Sequence, residues 1–252
     1  MSEPRTDTSS RHARLSALLL FVAGTTLLAT WEKPHPGAVD LPRLPTGDIA
    51  ARKAAFFEFL RPVVRHHNER ILEEREFVLS LAGRDKLGWL ERRRFARLAQ
   101  RYAVDLENLD YDSAYELLRR RVDIVPPALV LIQAAKESGW GRSRFARQGN
   151  ALFGEWCFSE GCGMVPGRRA PGRSHEVRAF ATVHDAVGSY MDNLNSHRSY
   201  RELRLARQEM REQGEELSAL GLAAHLSRYS ERGRAYVQEI RAMILQNGLE
   251  DD

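Results

Sequence analysis

The chain has 252 residues, 43% of them hydrophobic, enough to bury a real core, and carries a formal charge of +4 with pI about 9.3. Its basic clusters, Arg92-Arg93-Arg94 and Arg119-Arg120-Arg121, form solvated faces of amphipathic helices and belong to no nucleic-acid module. Composition therefore argues against a nucleic-acid partner and favours anionic polymers. There is no internal repeat and no low-complexity segment.

The chain opens with Arg11-His-Ala-Arg14 and an apolar run from Leu15 to Ala29. That run is short for a membrane span of about 20 residues but suits the apolar region of a secretory signal. Leu27-Leu28-Ala29 lacks the small residue expected two places before the final alanine, so residues 1–31 read either as a cleaved signal peptide or as an anchor with its basic flank in the cytoplasm. Residues 32–47, with four prolines between Pro34 and Pro45, read as an extended linker. Residues 48–121 read as a helical accessory region, which Asp48 caps. Phe56, Phe57 and Leu60 form one apolar face, Phe77, Leu79 and Leu81 a second, and Leu87, Leu90 and Phe95 a third, with breaks at Gly83 and Gly88. Asp112-Ser113 begins the next helix, carrying Tyr115, Leu117 and Leu118.

The segment from Val125 to Phe158 holds the chemistry. Pro126 and Pro127 suit a helix's first turn, where amides are unpaired in any case, and Gly139 or Gly141 can supply a left-handed ending. Val130, Gln133, Ala134 and Glu137 then share one mostly apolar face, which points the carboxyl of Glu137 inward. Burial and the negative end of the helix dipole both raise its pKa, the property a general acid needs. An ion pair with Arg142, Arg144 or Arg147 would act the other way.

From Asn150 to Val183 glycines, Pro166, Pro171 and short alternating runs suggest a small β-lobe, with a strand at His175–Phe180; helix returns from Asp185. Cys157 and Cys162 read as a disulfide closing a small loop in an oxidising compartment. Zinc needs four ligands at a recognisable spacing, and His175 and His184 do not supply it, so no metal is expected.

The run from Ile132 to Trp156, with Glu137-Ser-Gly-Trp-Gly141, a basic helix and Asn150-Ala-Leu-Phe153-Gly154, resembles the core of the bacterial N-acetylglucosaminidase family of peptidoglycan hydrolases. Its continuation, Trp156-Cys157 to Cys162-Gly163, Phe180, Ser189-Tyr190-Met191, Asn193-Leu194-Asn195, His197 and Tyr200, resembles that family's Bax-like subgroup, and the likeness covers roughly residues 46–250. The resemblance implies a mainly helical, lysozyme-like α+β fold with a small β-lobe, a catalytic domain at 122–250, and cleavage of peptidoglycan glycan strands next to N-acetylglucosamine without a cofactor. It makes Glu137 the catalytic acid. Ser138, Trp140, Asn150, Phe153 and Gly154 match positions that shape the cleft, with core packing open to Trp140 and Phe153. Tyr229 is the expected aromatic hydroxyl beside the acid, with Tyr236 second. For the partner carboxylate, needed by most glycosidases, Glu176 comes first by position, then Glu155 and Glu160, unless the substrate's N-acetyl group takes that role. The expected location is the bacterial periplasm or envelope, with membrane contact only through residues 15–29. Cleavage after N-acetylmuramic acid, with or without water, and a non-catalytic wall-binding role are the competing readings.

Overall fold

The structure is a computed structural model that describes residues 41–84, 86–167, 172 and 174–250. The apolar run 15–29 lies outside the described residues; among those described, no helix is long and apolar enough to cross a membrane.

Asp48 accepts hydrogen bonds from the amides of Ala50 and Ala51 and starts α1, Ile49–Leu79. The first two apolar groups expected from sequence lie along this one helix and the turn after it, which continues through Pro62. Phe56, Leu60, Val64 and Ile71 are buried, but Leu79 is 43% exposed. Helix α2, Trp89–Arg101, begins at Gly88, whose amide is capped by Glu91; Leu90, expected in its apolar face, is 71% exposed. Helix α3, Tyr111–Arg121, is capped by Asp110. Its start lies just ahead of Asp112-Ser113 because the Ser113 amide donates to the carboxylate of Asp110, which makes Asp110 the cap.

Helix α4, Pro127–Ser138, is the centre of the molecule. Every residue from Ala128 to Ala135 is fully buried. An apolar surface all round must be covered on every side, and α1, α8 (Ala219–Ala223) and α9 (Arg234–Gln246) pack against it. Helix α5, Arg144–Gly149, leads to a three-stranded antiparallel sheet made of β1 (Trp156–Cys157), β2 (Gly163–Met164) and β3 (Glu176–Arg178), in the order β1-β3-β2. Cys157 and Cys162 form a disulfide beside it. Helix α6, Val183–Ser196, starts with Thr182 and Asp185 capping each other, so Asp185 lies inside the first turn. Helix α7, Arg201–Glu212, completes a mainly helical α+β architecture with a small β-lobe.

Helices before and after residue 121 share one core, and Asp123 ties them together. Its carboxylate, 2% exposed, takes two hydrogen bonds from Arg211, at 3.2 and 3.0 Å, and lies 3.4 Å from Arg75 of α1 and 3.9 Å from Arg207 of α7. Burial alone would raise the pKa of Asp123; the guanidinium groups, Arg207 foremost, outweigh it and hold the pKa below its ordinary value. Two amides complete the junction. Asn68 of α1 exchanges two hydrogen bonds with Val125, and Asn195 of α6 donates to the carbonyl of Asp123. A second α1–α6 contact is the His67 ring, 4.1 Å from that of His184, with His67 Nε2 2.9 Å from the His184 carbonyl. Gly188 makes this possible, since a Cβ there would lie 2.7 Å from the His67 ring.

Both contacts can be tested by substitution. Asp123→Asn should destabilise the fold by about 3–5 kcal/mol in denaturant titration, because it strands buried guanidinium groups. His67, buried and beside His184 and Arg70, has its pKa lowered from 6.5 to about 3. The native state thus prefers neutral His67: its contribution is complete above pH 6.5 and is lost progressively as pH falls towards 3. Thermal midpoints measured across that range should fall less steeply in His67→Gln than in wild type.

Candidate active site

Glu137 occupies the last turn of α4, directly ahead of an unusual stretch of backbone. Gly139, Trp140 and Gly141 are all left-handed, with φ of 59°, 59° and 71°. Glycine adopts that region freely, but a tryptophan there costs energy that the surroundings must offset. Ser138, fully buried, locks the turn: its hydroxyl donates to the Ala134 carbonyl at 2.6 Å and accepts from the Gly141 amide at 2.8 Å. The chain thus leaves α4 abruptly, and Glu137 is solvent-accessible. The sequence suggests an inward-facing residue; the structure instead leaves it within reach of a substrate.

Its carboxyl remains hemmed in by protein. Desolvation raises the pKa of Glu137, opposed by a hydrogen bond from Tyr236 and the charge of Lys136, and aided by Glu239. No arginine pairs with it among the described residues; Arg144 donates instead to the Val165 carbonyl. Lys136 and Arg232 both pair with Glu239, at 2.6 and 2.7 Å, which draws their charge away from the acid.

Behind Glu137 runs a directed chain of hydrogen bonds. Tyr190 of α6 donates to Gln133 Oε1, Gln133 Nε2 donates to the Tyr236 hydroxyl at 2.9 Å, and Tyr236 of α9 donates to Glu137 Oε1 at 3.0 Å. The hydroxyl beside the acid is therefore that of Tyr236. Tyr229, the first choice from sequence, stacks on the Tyr236 ring at 5.3 Å and donates to the Phe153 carbonyl at 3.1 Å. Phe153, 5% exposed, stacks on Tyr190 at 3.9 Å, so it belongs to the packed aromatic floor. Burial raises the pKa of Tyr190, Tyr229 and Tyr236, keeping all three phenols neutral, and Tyr200 beside them is pushed up to about 12.

The acids named for the partner role differ sharply. Glu176 is buried in β3, where it accepts from the amides of Gly161 and Gly163 at 3.2 and 2.8 Å and closes the disulfide loop. Glu160 is exposed on that loop. Glu155 accepts from Ser189 at 2.8 Å through Oε2, while its Oε1 is buried without a hydrogen-bond partner. Desolvation raises the pKa of Glu155, against the Ser189 hydrogen bond and the charge of Arg178. Tyr236, which bonds Glu137, stacks on Tyr229, whose ring lies 6.3 Å from that of Tyr190, and Glu155 is bonded by Ser189, the residue before Tyr190, so both acids border one aromatic cluster.

The other motif residues shape the backbone. Asn150 caps α5 in a left-handed conformation, and its amide reaches the carbonyls of Phe180 and Ala181 at 3.2 Å. Gly154, also left-handed at φ 67°, redirects the chain towards Glu155 and β1. Trp140 lies half-buried against α1. The sulfurs of Cys157 and Cys162 lie near Glu176 but are joined to each other, while His175 stacks on Trp156 and His184 packs against α1. Sequence reasoning gives no site role to Gln133, Tyr190 or Ser189. Gln133 does leave a signal there, as a polar residue in an apolar run, four places before Glu137 and on its face.

The profile of the glucosaminidase family, described as mannosyl-glycoprotein endo-β-N-acetylglucosaminidase, matches residues 111–249. Protein bax of Escherichia coli (strain K12) is 33% identical over 208 residues, which cover 82% of this chain and 73% of that protein. No solved structure matches significantly. With a family match that begins at α3 and runs through α9, and a relative one-third identical over most of its length, the chain belongs to the glucosaminidase family of glycoside hydrolases.

Proposed function

We propose that the protein is an exported peptidoglycan hydrolase that cuts the glycan strand next to N-acetylglucosamine, with Glu137 as general acid. The observation that carries this reading is the accessible carboxyl of Glu137, raised in pKa by desolvation and oriented by Tyr236. A protonated Glu137 transfers its proton to the glycosidic oxygen as the bond from that oxygen to the anomeric carbon breaks and the sugar takes on oxocarbenium character. Glu155 fits the partner role better than Glu176, because one of its oxygens is unpaired whereas both oxygens of Glu176 hold backbone amides. Ionised Glu155 takes a proton from the incoming water as the hydroxide adds to the anomeric carbon. Proton exchange with solvent then restores both acids. The neutral tyrosines line this site without adding charge. A disulfide fits an oxidising envelope compartment.

The deciding experiment incubates purified wild type, Glu137→Gln and Glu155→Gln with peptidoglycan and identifies the new sugar ends by mass spectrometry. Reducing N-acetylglucosamine ends should appear with wild type, and each variant should lose at least about 100-fold in rate. Muramic or anhydro ends would reassign the bond. Retention of wall binding by all three proteins, with no release by any, would make this a binding protein.

The acid's environment adds a pH prediction. Tyr236 donates to ionised Glu137 and so lowers its pKa; removing that hydroxyl must raise it. In Tyr236→Phe the high-pH limb of kcat/KM, which reports loss of the proton from Glu137, should move to higher pH. A limb that moved down or stayed in place would show that the tyrosine does not govern the acid.

A further inference from the structure

The left-handed turn after Glu137 is held from two sides: locally by Ser138 and the Trp140 amide, which donates to the Ala135 carbonyl at 2.7 Å, and from a distance by α1. Trp140 packs edge-on against Phe56 and Phe57 of α1, with ring centroids 6.0 and 5.3 Å apart and interplanar angles of 73° and 67°. Lys53 of the same helix sits 4.7 Å from the centre of the Trp140 ring, and its ammonium donates to Asn247 at the end of α9, the helix that carries Tyr236. Gly141 lies against the segment that precedes α1: a Cβ there would come within 2.9 Å of both Leu41 and Leu44 and 3.4 Å of Phe56. One stretch, residues 41–57, thus touches the turn after the acid and the helix of the tyrosine that orients it.

We propose that residues 41–57 are a positioning element for the active site, acting through Trp140: Phe56, Phe57 and Lys53 hold the strained turn and so fix where the last turn of α4 presents Glu137. The claim rests on Glu137 being the acid, as proposed above. It gives α1 a part in the reaction although the helix lies outside the span matched by the family profile. The strain at Trp140 supports it. A bulky residue at φ 59° persists where the surroundings over-determine it, and here the local hydrogen bonds are joined by packing from a helix more than eighty residues earlier in the chain. Trp140 would then be a positioning residue, with its ring spent on α1.

The test compares full-length wild type, Trp140→Leu, Trp140→Phe, Phe57→Leu and the double variant Trp140→Leu/Phe57→Leu, using soluble glycan oligomers from peptidoglycan as substrate. A parallel ¹³C NMR titration follows the Glu137 carboxyl. Trp140→Leu and Phe57→Leu should each lower kcat about 10- to 100-fold while KM stays within about twofold, the signature of a misplaced group rather than lost binding. In both, the Glu137 titration should shift from its wild-type position, because the desolvation that raises it and the Tyr236 hydrogen bond that lowers it both depend on where the carboxyl sits. The double variant should be no worse than the poorer single one, because both break the same contact. Trp140→Phe, which keeps an edge-on ring, should recover most of the rate.

Wild-type kcat and an unmoved titration in Trp140→Leu, with only a lower thermal midpoint, would overturn the proposal by making the contact one of stability. A rise in KM alone would overturn it by making Trp140 a sugar contact. Should wild type release no sugar ends, the hydrolase reading fails by itself, and the NMR titration still decides whether α1 sets the environment of Glu137.

Discussion

The fold depends on enclosing α4. A helix whose residues from Ala128 to Ala135 are all fully buried has no solvent face, so it needs cover from several directions at once. Helix α1 provides it from the chain before α4, and the consecutive helices α8 and α9 provide it from the chain's last third. The same constraint sets the chemistry. A helix buried this completely can present a functional group to solvent only at an end, and Glu137 stands one residue before the C-terminus of α4.

Enclosing a helix leaves the problem of entering it. The backbone reaches α4 through Asp123, Ile124 and Val125, whose polar groups would be costly if buried without partners. Asn68, Asn195 and Arg207 supply those partners, Arg207 donating to the carbonyls of both Asp123 and Ile124. Arg207 itself is fully buried, which lowers its pKa to about 10, still well above neutrality. A buried cation and a buried anion therefore coexist at the junction between the two parts of the chain, tying the N-terminal helices to the rest.

Local signals are readable in the sequence and long-range ones are not. Asp48 as a cap, Pro127 at the start of α4 and Gly139 at its end act within one turn of helix, and each stands where expected. The starts of α3 and α6 differ from expectation because Ser113 and Asp185 belong to the first turn and not to the cap, a distinction that spacing does not reveal. Which tyrosine meets Glu137 depends on how α9 docks, across 99 positions of chain. The contrast between Glu155 and Glu176 likewise needs the strand register, in which Cys157 lies opposite Glu176 and turns that carboxylate towards the disulfide loop. Trp140 is a similar case: nothing near it in sequence foretells Phe56 and Phe57.

The hydrogen-bond chain behind the acid has a direction, and that direction selects an oxygen. Gln133 offers an N–H to Tyr236, occupying a lone pair of the phenol, so the phenolic hydrogen is left to point at Oε1 of Glu137. An oxygen already receiving that hydrogen is the poorer place for the acid's own proton, which then resides on Oε2. Tyr190 donates to the carbonyl end of that amide, and turning Gln133 over would reverse the donors along the chain, leaving Glu137 to donate to Tyr236. Three neutral side chains thereby bias the position of a single hydrogen, and in this arrangement the proton of Glu137 lies on the side of the carboxyl away from Tyr236.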